Sequence, residues 1–335
     1  MTEQSERVRW GVLSPAAIGV QKVIPAMQRS QRCEVVAIAS RDLGRAAESA
    51  GQLGIARHHG SYEDLLADPD VEAVYIPLPN HLHAEWTLRA AAAGKHVLCE
   101  KPLAMSAAQA AEMVEGCRAA GVLLMEAFMY RLHPMWLRVH ELVTSGAIGE
   151  LEAIQVFFAY HNVDPANIRN IAEYGGGALM DVGCYAINVA RWMFDGEPTD
   201  VAAAVRLDPR FGTDAVTSAV LDFGGRHATF TCSTQTEPDQ RVHLIGTTGR
   251  LLVEIPFNIP PHLPTRIVHA AGGDPPVAPG IDVIEVPAAD PYGAQCDAFS
   301  AAVRDGSDVP IPPQDAVANM AVIDRILAGS GEDAA

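Results

Sequence analysis

The feature that most limits how this chain can fold is an alternation, from Val8 to about Phe128, of short β-branched apolar runs with Ala-rich helical stretches. That pattern builds a parallel sheet whose strands are joined by crossover helices. The predicted strands are Val8 to Leu13, Glu34 to Ala39, Glu72 to Pro77, His96 to Glu100 and Val122 to Ala127, separated by stretches such as Asp42 to Gln52 and His81 to Gly94. The turn after each strand then lies at the carboxyl edge of the sheet, where ligands of doubly wound folds bind.

After Gly149 the pattern changes to long alternating segments: Leu151 to Tyr160, Val216 to Phe223, Ala228 to Thr234, Val242 to Gly246 and Leu251 to Ile255. Ala219, Leu221 and Phe223, and again Ala228, Phe230 and Cys232, put apolar side chains on one face, as an antiparallel sheet covered on one side requires. Helices are expected from about Ala178 to Met193 and from about Pro313 to Ala328, and loops at Ile259 to Pro264 and Gly272 to Gly280. The longer loop Phe257 to Pro279 is expected to shape specificity. A chain of 335 residues has room for about two domains, placed here at 1–128 and 129–335, with the C-terminal helix able to pack back on the first.

Hydrophobic residues at 49% and charged residues at 19% exclude a disordered or collagenous chain. With 24 Lys plus Arg against 41 Asp plus Glu, the net charge of −17 repels phosphate backbones and anionic membranes, so neither nucleic acid nor a membrane is an expected partner. Six scattered cysteines (Cys33, Cys99, Cys117, Cys184, Cys232, Cys296) form no CxxC pair and read as buried free thiols. The polar start, Met-Thr-Glu-Gln-Ser-Glu-Arg, has no apolar signal region, and no run approaches the ~18 apolar residues of a membrane span. The expected compartment is the cytoplasm.

The first strand leads into Gly11-Val12-Leu13-Ser14-Pro15-Ala16-Ala17-Ile18-Gly19. A small-residue turn opening a helix holds a pyrophosphate on free N–H groups, and Ser14, Ala16, Ala17 and Ile18 are its candidates here. Of the Gly-x-Gly-x-x-Gly positions only Gly19 is glycine, so an ordinary strand-to-helix turn is the competing reading. The second strand ends in Ser40-Arg41-Asp42, where an NAD site normally places an acid on the ribose hydroxyls. Ser40, Arg41 and, a turn further on, Arg45 suit a 2′-phosphate, which favours NADP(H) over NAD(H); a solvated helix cap is the plainer alternative.

Strand His96 to Cys99 runs into Glu100-Lys101-Pro102 and puts an ammonium at the carboxyl end of a parallel strand. Pro102 permits a turn that aims Lys101 inward, although an ordinary surface lysine would also satisfy the sequence. In the second half, Gly175-Gly176-Gly177 allows close backbone approach, and Asp181, Tyr185 and Asn188 follow at i, i+4 and i+7 on one helical face. Leu179, Val182, Ala186 and Val189 take another face. Pro79, Asn80 and His83 follow the Glu72 to Pro77 strand in a turn expected beside a nicotinamide. His81-x-His83 lacks ligand-spaced company, so a helix cap is preferred to a metal site; His58-His59 reads as a loop without a role.

These motifs together resemble the glucose-fructose oxidoreductase, inositol dehydrogenase and MocA-like (Gfo/Idh/MocA) family over nearly the whole chain. The matching segments are the turn Gly11 to Gly19, Pro79-Asn80-His81-Leu82-His83, Gly94 to Pro102 and Gly175 to Tyr185. The resemblance implies an N-terminal Rossmann domain, a C-terminal α/β domain on a large, mostly antiparallel open sheet, a catalytic Lys101, and no metal. Glu100 and Lys101 join the cofactor contacts on the same basis. Many members carry His where this chain has Tyr185; Tyr resembles the branch of glucose-fructose oxidoreductase, NADP-dependent D-xylose dehydrogenases and dimeric dihydrodiol dehydrogenase. Met125 to Pro134 resembles that branch's linker strand, which implies Tyr130 and Arg131 near substrate or as an anchor between domains.

The expected chemistry is hydride exchange between nicotinamide and a hydroxyl or keto carbon of a sugar or cyclic polyol, with a D-xylose- or D-glucose-type aldose favoured. Proton loss from the hydroxyl needs a base near neutral pH. Tyr185 can serve if the Lys101 ammonium favours its phenolate, with Asp181 orienting the substrate hydroxyl or Lys101; equally, Lys101 can transfer the proton itself. The competing functions are a redox-neutral glycoside hydrolase with a tightly held nicotinamide, and a nicotinamide-binding sensor without turnover. A second subunit against the half-covered sheet implies a homodimer or homotetramer.

Overall fold

The computed structural model describes residues 7–272 and 280–329. They form two compact units, one drawn from Met1–Met129 and Pro291–Val317, the other from Tyr130–Asp290 and Ala318–Ala335. Part of the loop expected between Gly272 and Gly280 lies outside the described residues.

The first unit is built on strands β1 (Val8–Leu13), β2 (Cys33–Ala39), β3 (Arg57–His59), β4 (Ala73–Ile76), β5 (His96–Cys99) and β6 (Leu124–Glu126). Every pairing is parallel and the spatial order is β3-β2-β1-β4-β5-β6, so the strand order reverses between β1 and β4. That reversal opens the crevice in which such sheets hold dinucleotides. β4 is buried at every residue, which is why it reads as a continuous apolar run. The crossovers are α1 (Ile24–Arg29), α2 (Leu43–Leu53), α3 (Tyr62–Leu66), α4 (His83–Ala92) and α5 (Ala107–Ala120). Asp42 starts α2 by accepting the Arg45 N–H, and Gly54, at φ +66°, ends it.

His58 and His59, expected in a loop, belong instead to the edge strand β3 and pair with Ile38 and Ala39. A three-residue edge strand needs no apolar alternation, so its sequence carries no strand signal. After α6 (Pro134–Thr144) and α7 (Cys184–Phe194) in the second unit, α8 (Pro291–Asp305) returns to the six-stranded sheet. Trp10 packs against Phe299 with ring centroids 5.3 Å apart and donates to the Ser300 hydroxyl at 3.2 Å, while Arg304 bonds Glu72. Each fully buried large apolar side chain of this kind contributes about 1.5 to 3 kcal/mol.

The second unit carries an eight-stranded sheet of order β14-β13-β12-β11-β7-β10-β9-β8. Its strands are β7 (Leu151–His161), β8 (Asp200–Leu207), β9 (Asp214–Asp222), β10 (His227–Ser233), β11 (Gln235–Gly246), β12 (Gly249–Val253), β13 (Thr265–Ala271) and β14 (Gly280–Val286). The described pairs are antiparallel except β7 with β10. Strand β13 corrects the expectation of a loop over Phe257 to Pro279, and β8 and β14 were also unforeseen. Both of the latter are exposed edges, and β8 shows no alternation of apolar with polar residues. Phe158, Leu221, Phe230 and Cys232 of the sheet and Leu179, Val182, Ala186 and Val189 are all buried; the helical segment packs on β7 and β10. Helix α9 (Pro313–Gly329) is held within this unit by Asn319, which donates to the Cys184 carbonyl at 3.2 Å, and by Arg325, which donates to the Pro198 carbonyl at 2.8 Å. No helix among the described residues is long and apolar enough to cross a membrane.

Candidate active site

The turn after β1 keeps the conformation of a glycine turn without the glycine. Ser14 sits at φ +108°, a region glycine favours, and its N–H is anchored on the Ala39 carbonyl at 3.0 Å. The first helical bond runs from Val20 N–H to the Ala16 carbonyl, so the N–H groups of Ala17, Ile18 and Gly19 lie ahead of it. Small side chains at Ser14, Ala16 and Ala17 leave this backbone approachable, and the residues present therefore fit a dinucleotide's pyrophosphate. At the end of β2, Ser40 is buried and accepts the Asp42 N–H at 3.2 Å, while the Asp42 carboxylate is committed to capping α2. Arg41 and Arg45 are exposed. Burial, with the Arg41 charge as a second cause, lowers the His81 pKa.

The turn after β5 is tied on several sides. The Lys101–Pro102 bond is cis. Tyr75 donates to Glu100 at 2.7 Å, and the Lys101 N–H points at the other Glu100 oxygen at 3.3 Å. Burial, with the Glu100 carboxylate next to it, pushes the Tyr75 phenol well above its ordinary pKa, so Tyr75 remains a donor. Beyond Pro102, the Leu103 N–H donates to Glu126 at 2.7 Å. His83 is 0% exposed, with Nδ1 2.9 Å from the Pro102 carbonyl and Nε2 2.8 Å from the Leu78 carbonyl. Its imidazole is occupied by the main chain, which corrects both the expected cofactor contact and the expected helix cap. Tyr75 and Glu126 were not anticipated; the one signal was an acid, Glu126, inside an otherwise apolar strand.

In the second unit the glycine run is sterically required. Gly177 has φ +115°, and a Cβ there would lie 2.0 Å from Asp214 Oδ1; a Cβ on Gly176 would lie 2.5 Å from the Arg169 carbonyl. The close approach lets buried Asp214 accept the Leu179 N–H at 2.8 Å and the Thr217 hydroxyl at 2.6 Å, capping the helical segment that carries the polar stripe. Burial pushes the Asp214 pKa up, against those two donors. A π-turn at Leu179–Gly183 opens the segment and α7 continues it.

Along that segment Asp181 accepts from the Tyr160 hydroxyl at 2.5 Å and from Arg169 Nε at 2.8 Å, two partners the sequence did not reveal. Tyr185 is 5% exposed, its ring 5.0 Å from Phe257 and 5.5 Å from Phe158. Asn188 accepts the Tyr130 hydroxyl at 2.6 Å. Tyr130 is 0% exposed and packs on Trp136, Phe257 and Tyr185, so the expectation of a direct substrate contact is corrected to packing. Arg131 lies over the Trp192 ring at 4.6 Å, and His140 stacks on the same ring at 5.1 Å.

Comparison with known proteins agrees with these features. Residues 10–128 match the profile of an oxidoreductase family with an NAD-binding Rossmann fold, and residues 136–252 match the GFO/IDH/MocA C-terminal domain. The chain is 48% identical over 320 residues to an oxidoreductase of Rhizobium meliloti, ORF334, covering 95% of this chain and 96% of that protein. It is 41% identical over 328 residues to D-xylose 1-dehydrogenase (NADP(+)) 2 of Haloferax volcanii, covering 97% and 98%. Among solved structures, the 3-ketoreductase KijD10 of Actinomadura kijaniata, in complex with NADP and TDP-benzene, superimposes with a TM-score of 0.89 at 32% identity, covering 96% of this chain and 98% of that one. A six-stranded parallel sheet with a nucleotide turn, a braced lysine after β5 and a glycine-fed Asp–Tyr helix, matched over nearly the full length, make this chain a member of the Gfo/Idh/MocA family of nicotinamide-dependent oxidoreductases.

Proposed function

We propose that the chain is an NADP-dependent dehydrogenase or reductase acting at a hydroxyl or keto carbon of an aldose or related cyclic polyol, with a D-xylose- or D-glucose-type sugar as substrate. The observation that carries this reading is Lys101, an ammonium at the carboxyl edge of a dinucleotide-type sheet on a turn bonded to buried side chains. Exposed Arg41 and Arg45, with the Asp42 carboxylate committed to a helix cap, support a 2′-phosphate. The NADP in the KijD10 complex and the NADP-dependent xylose dehydrogenase among the relatives support the same choice.

In this reading Ala16, Ala17 and Ile18 hold the pyrophosphate, Ser40, Arg41 and Arg45 the adenosine phosphate, and Pro79, Asn80 and Glu100 stand beside the nicotinamide. The nicotinamide, when bound, supplies the hydride acceptor or donor. Tyr185 moves the substrate hydroxyl proton, and Lys101 stabilises the phenolate and polarises the substrate oxygen. Asp181, with Tyr160 and Arg169 on its carboxylate, orients the sugar. With its six cysteines buried and outside any disulfide, the protein suits a reducing compartment, the cytoplasm.

We also infer a homo-oligomer assembled through the outer face of β8, β9 and β10. Ala202, Ala204, Ser218, Val220, Thr229 and Thr231 form an open patch there, neutral and small, with Val220 43% exposed. The test of the enzymatic reading is absorbance of the reduced nicotinamide with NADP or NAD and a panel of aldoses led by D-xylose and D-glucose. Turnover with NADP is expected. Silence across the panel in both directions, with NADPH bound and released unchanged, would contradict it.

A further inference from the structure

The chain contains three lysines, Lys22, Lys95 and Lys101. Lys95 is buried, its Nζ donating to the Asp68 and Val71 carbonyls at 2.8 Å each, and Lys22 is exposed. Lys101 sits at the carboxyl end of β5 on a turn whose backbone is bonded to buried side chains. Downstream, the Leu103 N–H is held by Glu126, which is 1% exposed. At Pro102 the carbonyl is held by His83, whose other nitrogen reaches the Leu78 carbonyl one turn away. A single buried ring thus spans the two turns that follow β4 and β5, one carrying Pro79 and Asn80 and the other Lys101. Two carbonyls around one imidazole call for a proton on each nitrogen, whereas burial pushes the His83 pKa down. A neutral ring carries a single proton, and it is with that proton on Nδ1 that the ring donates to the Pro102 carbonyl.

We propose that His83 is a positioning residue for Lys101, acting through its bond to the Pro102 carbonyl; its consequence for turnover rests on the proposed catalytic role of Lys101. The two ring nitrogens allow a test that separates positioning from packing. His83→Asn places an amide donor where Nδ1 stands, toward Pro102, and His83→Gln places one where Nε2 stands, toward Leu78. Each variant removes the ring and keeps one donor, toward a different carbonyl, and the melting temperature records the packing cost of each separately.

The experiment compares both variants with the native protein in three readouts: melting temperature, acetylation of Lys101 relative to Lys22 by mass spectrometry of unliganded protein, and kcat against KM. In His83→Gln, the relative acetylation of Lys101 should change at least about threefold and kcat should fall about 10- to 100-fold, with both KM values within about twofold. His83→Asn should stay within about threefold of native in acetylation and kcat, the two variants melting at similar temperatures. Equal acetylation in the two variants, or a change that follows melting temperature alone, would overturn the proposal. If His83→Gln does not fold, His83→Asn decides: a departure beyond about threefold in Lys101 acetylation overturns it. Should acetylation follow the expected pattern while Lys101→Ala turns over like native protein, His83 positions Lys101 and it is the catalytic reading that fails.

Discussion

Lys101 and Tyr185 are the residues on which the proposed chemistry depends. Lys101→Ala should lower kcat by about 10² to 10⁴, measured by steady-state kinetics. At the other end of the cofactor, Arg41→Ala should weaken NADP binding at least about tenfold and leave NAD binding within twofold, because only NADP presents the phosphate that a guanidinium can fork. Equal effects on the two cofactors in calorimetry would refute that assignment. Lys101, Asp181, Tyr185 and Asn188 were legible in the sequence because their meaning lies in a turn or in helical spacing. Tyr160, Arg169, Tyr75 and Asp214 were not, since each reaches its partner from a distant strand or loop and nothing in its own neighbourhood marks it. His83 and Tyr130 show the opposite failure, polar groups that look like ligand contacts but spend their bonds inside the fold.

At the scale of elements, the helical segment bearing Tyr185 depends on the cap that Asp214 supplies through the Gly177 approach. Gly177→Ala should cost about 1 to 3 kcal/mol in denaturant unfolding, since it combines a left-handed φ with a clash on the capping carboxylate. A second element-level contact joins β1, β4 and α8. Burial alone would raise the Glu72 pKa, but bonds from Arg304 and Arg9 hold it down at about 2, below its ordinary value of 4.5. A depressed carboxyl pKa contributes stability that is present above pH 4.5 and lost as pH falls toward 2. Because the cluster is partly exposed, solvent screening leaves about 1 to 2 kcal/mol. Glu72→Gln should therefore lower the urea midpoint at pH 7 more than at pH 2.5; an equal loss at both would contradict the ion-pair account. Strands buried on both faces, such as β4, could be read from their apolar runs. The edges β3 and β8 could not, because their strand character comes from a neighbour's hydrogen bonds and not from side-chain pattern.

For the molecule as a whole, the parallel sheet followed by a mostly antiparallel one was readable from periodicity alone, whereas the return of α8 to the first sheet was not. That return depends on Ser300 meeting Trp10 and Arg304 meeting Glu72 across the chain. The open patch on β8, β9 and β10 should make Val220→Asp shift the protein to a smaller species in sedimentation velocity, and an unchanged species would exclude that face as the subunit contact. The most direct test of the central claim is single-turnover reduction of NADP by the best aldose in native protein, Lys101→Ala, Tyr185→Phe and the double variant. If the two residues serve one proton, each single variant slows the step by at least about 10² and the double variant is barely slower than the worse single one. Additive losses, or single variants close to native rates, would contradict a shared role for Lys101 and Tyr185.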